Sequence, residues 1–180
     1  MMLDRERSCL CVIDFQTRLL PAMTGGDDAV ENAIKIIRGA RELDVPILAS
    51  EQYPKGIGPT VESVSDLLEP QEILEKIEFS AASNPDFLKA CEKLSRDQAV
   101  LVGIEAHVCV LQTALGMLKA GWQVYVVADA TASRTASNHA LALDRLRDAG
   151  VTVVSAEMVL FEWMERAGTE AFKTISALIK

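Results

Sequence analysis

Gly103-Ile104-Glu105-Ala106-His107-Val108-Cys109-Val110-Leu111-Gln112-Thr113-Ala114 is the stretch whose reading decides the fold. An apolar run, Ala99-Val100-Leu101-Val102, stops at the glycine, and an amphipathic pattern continues to Ala120. A strand, a tight turn and a helix account for that order, with Cys109 in the helix's first turn. A thiol placed there faces unpaired backbone N–H groups and the positive end of the helix dipole. Both favour thiolate, the reactive form of cysteine. Cys109 is therefore a candidate nucleophile.

The same alternation extends in both directions. Upstream, Ser8 to Ile13 is an apolar run of strand length ending at Asp14. Asp27-Asp28 opens a helix whose apolar stripe runs Ala29, Val30, Ala33, Ile34, Ile37, Ala40, Leu43. Val45 to Ala49 reads as a second strand, followed by a Gly- and Pro-rich loop from Ser50 to Thr60. Glu72 to Lys76 is a third strand, Asp86 to Leu94 a helix, and Ala99 to Val102 the fourth strand. Downstream, Gln123 to Ala128 ends at Asp129, Ser137 to Asp148 is a helix, and Val151 to Val154 is a sixth strand. Two short helices occupy Glu157 to Lys180.

Apolar strands alternating with amphipathic helices specify an α/β fold: a three-layer αβα sandwich around a parallel sheet covered on both faces. No repeats or linkers interrupt residues 1–180, which read as a single domain of 180 residues. Hydrophobic residues make up 49% and charged residues 24%, as in an ordinary globular protein. A net charge of -8 argues against nucleic acid or an anionic membrane as partner. No apolar run approaches the roughly 20 residues of a membrane span. The charged start, Met1 to Arg7, lacks a signal-peptide layout, so a cytoplasmic location is expected. Cys9, Cys11 and Cys91 read as small buried hydrophobes, and two histidines are too few for a typical zinc site.

In such sheets ligands bind beyond the carboxyl ends of the strands, where strand order reverses. Asp14, Lys76, Cys109 and Asp129 all lie at or just past strand ends. If the sheet is doubly wound, the first and fourth strands are neighbours, bringing Asp14 to Cys109 with Lys76 near. Asp14 could then act as base toward the thiol, Lys76 could stabilise thiolate and carboxylate, and backbone N–H groups between Ile104 and Cys109 could bind an oxyanion. Each residue has a plainer reading as well. Asp14 could be a turn former, Lys76 a solvated charge, Cys109 a core thiol, and Asp129 a turn or cap residue paired with Arg134. Order and spacing leave these open.

The segments Val12-Ile13-Asp14-Phe15-Gln16, Lys76 with Phe79-Ser80, Gly103 to Val110 with Thr113-Ala114, and Val126 to Ala130 together resemble the isochorismatase-like cysteine hydrolases. Residues Glu51 to Thr60 and Gly103 to Ala106 look closest to the isochorismatase domain-containing proteins. The resemblance implies the family's Rossmann-like hydrolase fold with six parallel strands, an Asp14–Lys76–Cys109 triad, and a cis peptide at Ile104-Glu105. It also implies an oxyanion hole from the N–H groups of Glu105 and Cys109, and assembly as a homo-oligomer. Nicotinamidases of this family carry a metal-binding Asp-x-His after the second strand. Glu51-Gln52-Tyr53 stands there instead, so neither metal nor cofactor is expected. Phe15, Gln52, Tyr53 and His107 are candidates for the wall of a small-molecule pocket. The expected activity is hydrolysis of an amide or related C–N bond through a Cys109 thioester. The alternatives are vinyl-ether hydrolysis of an isochorismate-like acid, and a non-catalytic binding protein on the same fold.

Overall fold

Six residues in a row from Ser8 to Ile13 are buried, as a central strand under helices on both faces must be. The computed structural model describes residues 2–179. This strand, β1, lies inside a six-stranded sheet of order β3-β2-β1-β4-β5-β6. The other strands are β2 (Ile47–Gln52), β3 (Ile73–Lys76), β4 (Gln98–Ile104), β5 (Gln123–Ala132) and β6 (Thr152–Val154). All pairings are parallel. The order reverses at β1 and β4, which pair from Ser8↔Gln98 to Ile13↔Gly103. The expected neighbourhood of the first and fourth strands is thus present.

The helices are α1 (Gly26–Glu42), α2 (Pro54–Ile57), α3 (Glu62–Ser65), α4 (Pro85–Lys93), α5 (Leu111–Lys119), α6 (Ala136–Asp148), α7 (Ala156–Met164) and α8 (Glu170–Ile179). Alternation along β1 sorts its side chains between two cores. Leu10 and Val12 join Ile36, Ile37, Leu160, Trp163 and Ile175 on the side of α1, α7 and α8. Cys9, Cys11 and Ile13 join Phe87, Cys91, Met117 and Leu146 on the side of α4, α5 and α6. Each large apolar side chain so buried contributes about 1.5–3 kcal/mol. Cys9, Cys11 and Cys91 are free thiols with no exposed surface.

Two strand ends near the site differ from the sequence expectation, and so does the loop between β2 and β3. β2 does not stop at Ala49; it runs to Gln52 because Ala49 to Gln52 pair with Ile73 to Lys76 of β3. The anticipated loop is partly ordered further by α2, and the buried Gln16 amide donates to the carbonyls of Gln52 and Gly58 at 3.0 and 2.6 Å. β5 does not end at Asp129 but continues to Ala132, with a register shift opposite Leu101 to Gly103. The extra β5 residues bow outward and leave Asp129 exposed. Its carboxylate accepts the Ala156 N–H at 2.8 Å, at the start of α7.

The helix after β4 is also modified. Ala106 to Val110 form a wide π-type turn, in which the Val110 N–H reaches back to the Glu105 carbonyl at 3.2 Å, and regular helix begins only at Leu111. Such turns inside helices are uncommon and concentrate at functional sites. Cys109 sits in this turn.

Candidate active site

β1 delivers Asp14 to the switch point, where the chain turns with a left-handed φ of 52°. The side chain is fully buried. Ser50, on the last part of β2, donates its hydroxyl to Asp14 Oδ1 at 2.7 Å. Lys76, closing β3, places Nζ 2.7 Å from Asp14 Oδ2. An ammonium has three protons to give. Lys76 Nζ meets Asp14 Oδ2, Gln52 Oε1 at 2.9 Å, and the carbonyls of Phe79 and Glu78 at 3.1 and 3.2 Å. It is committed to the protein and is not a solvated charge. Gln52 is held in turn, donating its amide to the Ile77 carbonyl at 2.7 Å.

Cys109, in the turn that follows β4, lies within electrostatic reach of the Asp14 carboxylate and the Lys76 ammonium. Burial pushes Asp14 up from the usual carboxylate range, against the opposing pull of Lys76, Ser50 and Cys109. Burial, followed by the Asp14 charge, pushes Cys109 up to about 12, although Lys76 and the Glu105 backbone N–H pull the other way. The pull of the helix end toward thiolate is thus opposed by burial and by Asp14. The end of a helix is a weak field compared with desolvation and an adjacent carboxylate. A thiol that holds its proton beside a carboxylate is the arrangement a nucleophile and its base would take.

The Ile104-Glu105 peptide bond is cis. The Glu105 carboxylate is nearly buried and accepts from Arg134 Nε at 2.8 Å and Nη2 at 3.0 Å. The expected Asp129–Arg134 pair does not form, because the outward bow of β5 turns Asp129 toward α7 and leaves Arg134 facing Glu105. His107 is a quarter exposed; its Nδ1 lies 3.0 Å from Ser133 Oγ and its Nε2 3.5 Å from Asn138 Nδ2. His139 instead meets Thr131 Oγ1 at 3.1 Å. Among the described residues no three His, Cys, Asp or Glu side chains converge as a metal-holding group.

The structure thus brings Asp14, Lys76 and Cys109 together, with the peptide from Ile104 to Glu105 beside them. It treats the four pocket candidates differently. Phe15 is fully buried in the core beneath α1 and lines no pocket, because the turn at Asp14 sends it to the opposite layer. Gln52 supports Lys76. Tyr53 is half exposed and, with Ile77, lines a cavity of about 270 Å³ that reaches Lys76. His107 borders the thiol's turn. A larger groove of about 540 Å³ lies between α1 and the bow of β5 and includes none of the triad. Sequence reasoning missed Ser50 and the Glu105–Arg134 pair. The polar ending Ser50-Glu51-Gln52 on an apolar strand was the available sign for the first.

Residues 8–158 match the model of the isochorismatase domain. The chain belongs to the isochorismatase family. It is 37% identical over 177 residues to isochorismatase domain-containing protein 2A of Mus musculus, covering 97% of this chain and 84% of that one. It is 36% identical over 167 residues to isochorismatase domain-containing protein 1 of Salmo salar, covering 93% of this chain but only 59% of the relative's length. Among solved structures, one described as the MAR1 ribonuclease of Caenorhabditis elegans superposes with a TM-score of 0.93 at 31% identity, covering 99% of this chain and 92% of that one. The isochorismatase-like αβα fold expected from the motifs is therefore the fold of this chain.

Proposed function

We propose that this isochorismatase-family protein is a cysteine hydrolase that cleaves an amide or related C–N bond of a small molecule through a Cys109 thioester. One observation carries the reading: a buried Asp14 carboxylate paired at 2.7 Å with the Lys76 ammonium, with the Cys109 thiol within reach of both charges. As Sγ attacks the substrate carbonyl, Asp14 takes the thiol proton. The carbonyl oxygen gains negative charge and is received by the backbone N–H groups of Glu105 and Cys109. Collapse expels the amine, which leaves with the proton held by Asp14. Water then attacks the thioester, again giving a proton to Asp14, and the acid leaves as the proton returns to sulfur. Lys76 touches no substrate in this scheme; its charge keeps Asp14 ionised between steps. The chemistry calls for neither metal nor cofactor.

A C–N substrate suits this site better than a phosphodiester. The ribonuclease description belongs to the C. elegans protein. Phosphoryl chemistry calls for uncommitted positive charge at the reacting group, whereas Lys76 and Arg134 are each engaged by a carboxylate. The net charge of -8 adds repulsion toward nucleic acid. The protein is further proposed to act as a homo-oligomer, which would cover the exposed Ile77 and Phe79 next to Lys76. Its free thiols suit a reducing, cytoplasmic setting.

The test is a panel of small amides, ureides and esters with intact-mass detection of an acyl adduct on Cys109. Turnover by the wild type, with loss of both adduct and turnover in Cys109→Ala, supports the reading. Full activity in Cys109→Ala would sink it, and hydrolysis of an added vinyl-ether acid by that variant would favour the isochorismatase-type alternative. No turnover of any member would favour a binding protein.

A further inference from the structure

The loops that follow three strands are tied to one another around Arg134. Its guanidinium holds the Glu105 carboxylate with two parallel hydrogen bonds, at 2.8 and 3.0 Å. Its backbone is held as well: the carbonyl of Arg134 accepts from Thr24 Oγ1 at 3.0 Å, and the neighbouring Ser133 carbonyl accepts the Thr24 N–H at 2.9 Å. Ser133 also receives His107 from the π-type turn at 3.0 Å. Arg134 thus stands on a base fixed by the loop after β1 and reaches across from the end of β5 to the turn after β4. The fork geometry matters, because two parallel bonds fix the plane of a carboxylate where one would leave it free to swing. The carboxylate it fixes belongs to the residue whose carbonyl accepts the Val108 and Val110 N–H groups, at 3.0 and 3.2 Å, on either side of Cys109.

We propose that Arg134 is a positioning residue for the nucleophile: by clamping the Glu105 carboxylate it fixes the residue at the head of the π-type turn that carries Cys109, and with it the placement of Sγ. The inference rests on the reading of Cys109 as nucleophile, and names a residue that acts on it only through Glu105. Arg134 touches neither the thiol nor Asp14. Its exposed position makes it a poor contributor to the core, so a bidentate hold on a nearly buried carboxylate is better explained by the turn that carboxylate belongs to.

The experiment measures the second-order rate of iodoacetamide alkylation at Cys109, resolved by peptide mass spectrometry from pH 7 to 10, and the acylation of Cys109 by p-nitrophenyl acetate. It compares wild type, Arg134→Ala, Arg134→Lys, Glu105→Gln and the Arg134→Ala/Glu105→Gln double variant, each scored per folded molecule. Arg134→Ala is expected to slow both reactions about tenfold and move the alkylation profile to higher pH. Arg134→Lys should recover part of the rate, because one bond survives and the fork does not. In the Glu105→Gln background, removing Arg134 should change little. Three results overturn the proposal: unchanged rates in Arg134→Ala, full additivity of the two substitutions, or a lower melting temperature with unchanged rate per folded molecule. Failure of the underlying reading looks different, since Cys109 would then be unreactive toward p-nitrophenyl acetate in the wild type itself.

Discussion

Lys76 Nζ and Asp14 Oδ2 meet at 2.7 Å with both side chains sealed from solvent. Removing one member of such a pair leaves the other charge stranded in a poor solvent, at a cost of about 3–5 kcal/mol. Lys76→Met also deprives Gln52 Oε1 and the Glu78 and Phe79 carbonyls of their donor. Urea unfolding of Lys76→Met is expected to show a loss in that range. The Asp14→Asn/Lys76→Met variant should recover part of it, because no unpaired charge remains. A Lys76→Met protein within about 1 kcal/mol of wild type would mean that the pair is not formed in solution.

Asp14→Asn should move two properties of Cys109 in opposite directions. Loss of the base is expected to lower hydrolysis by about 10²- to 10⁴-fold. The Asp14 charge is also one of the causes that hold the thiol at about 12, so its removal should let the thiol ionise more readily beside the remaining Lys76. Alkylation by iodoacetamide at pH 8 should accordingly speed up while hydrolysis falls. A parallel fall in both would mean that Asp14 takes the thiol proton in alkylation too, and that this outweighs the effect of its charge on the thiol.

The pH profile follows from the same two groups. The active form has Asp14 ionised and the thiol protonated. Burial raises Asp14, so kcat/KM should climb with pH through a limb lying above the usual carboxylate value of about 3.9. Cys109 keeps its proton until about 12, so its ionisation should add no limb near the ordinary thiol value of about 8.5. Initial rates from pH 4 to 10 on whichever amide the panel identifies would decide this. A limb at about 8.5 that disappears in Cys109→Ser would refute it.

The parts of this molecule that repeat every few residues were legible in the sequence, and the parts set by contact across the chain were not. Ser8 to Ile13, the stripe of α1 and the strand before Gly103 announce themselves because burial on two faces or one leaves a periodic trace. Strand order allowed the approach of Asp14, Lys76 and Cys109 only if the sheet was doubly wound, and the family resemblance was what implied it. Ser50 was hidden because the end of β2 is defined by pairing with β3, a partner more than twenty residues away. The Glu105–Arg134 pair was hidden because the bow in β5 decides which carboxylate Arg134 meets. The upward push on the Cys109 thiol was hidden for a similar reason: its helix position is local, but its desolvation and its carboxylate neighbour are not.

Gly103 is where β4 passes closest to the base. Its φ is +137°, and a Cβ there would lie 2.1 Å from the Ile13 carbonyl oxygen, with the Ile13 backbone carbon and Cα at 2.8 Å. Those atoms belong to a central strand and cannot rotate away. Gly103→Ala should therefore cost about 3 kcal/mol or more and displace the residue after Ile13, which is Asp14. Thermal unfolding should show the loss, and Cys109 acylation per folded molecule should fall with it. Wild-type stability in Gly103→Ala would mean that β1 and β4 are farther apart than this.

Ser50 offers the mildest way to adjust the base. Its hydroxyl donates to Asp14 Oδ1 at 2.7 Å and favours the carboxylate over the acid. Ser50→Ala removes that bond, leaves Lys76 and Cys109 in place, and gives the carboxylate one less reason to ionise. The acid limb of kcat/KM should move to higher pH, with the plateau lowered much less than in Asp14→Asn. Stability near neutral pH should drop by about 1.5–3 kcal/mol, the range for a hydrogen bond to a charged group. A limb that stays in place would show that Asp14 is not the group whose ionisation controls the rate. A shift toward lower pH would reverse the sign assigned to the Ser50 hydrogen bond.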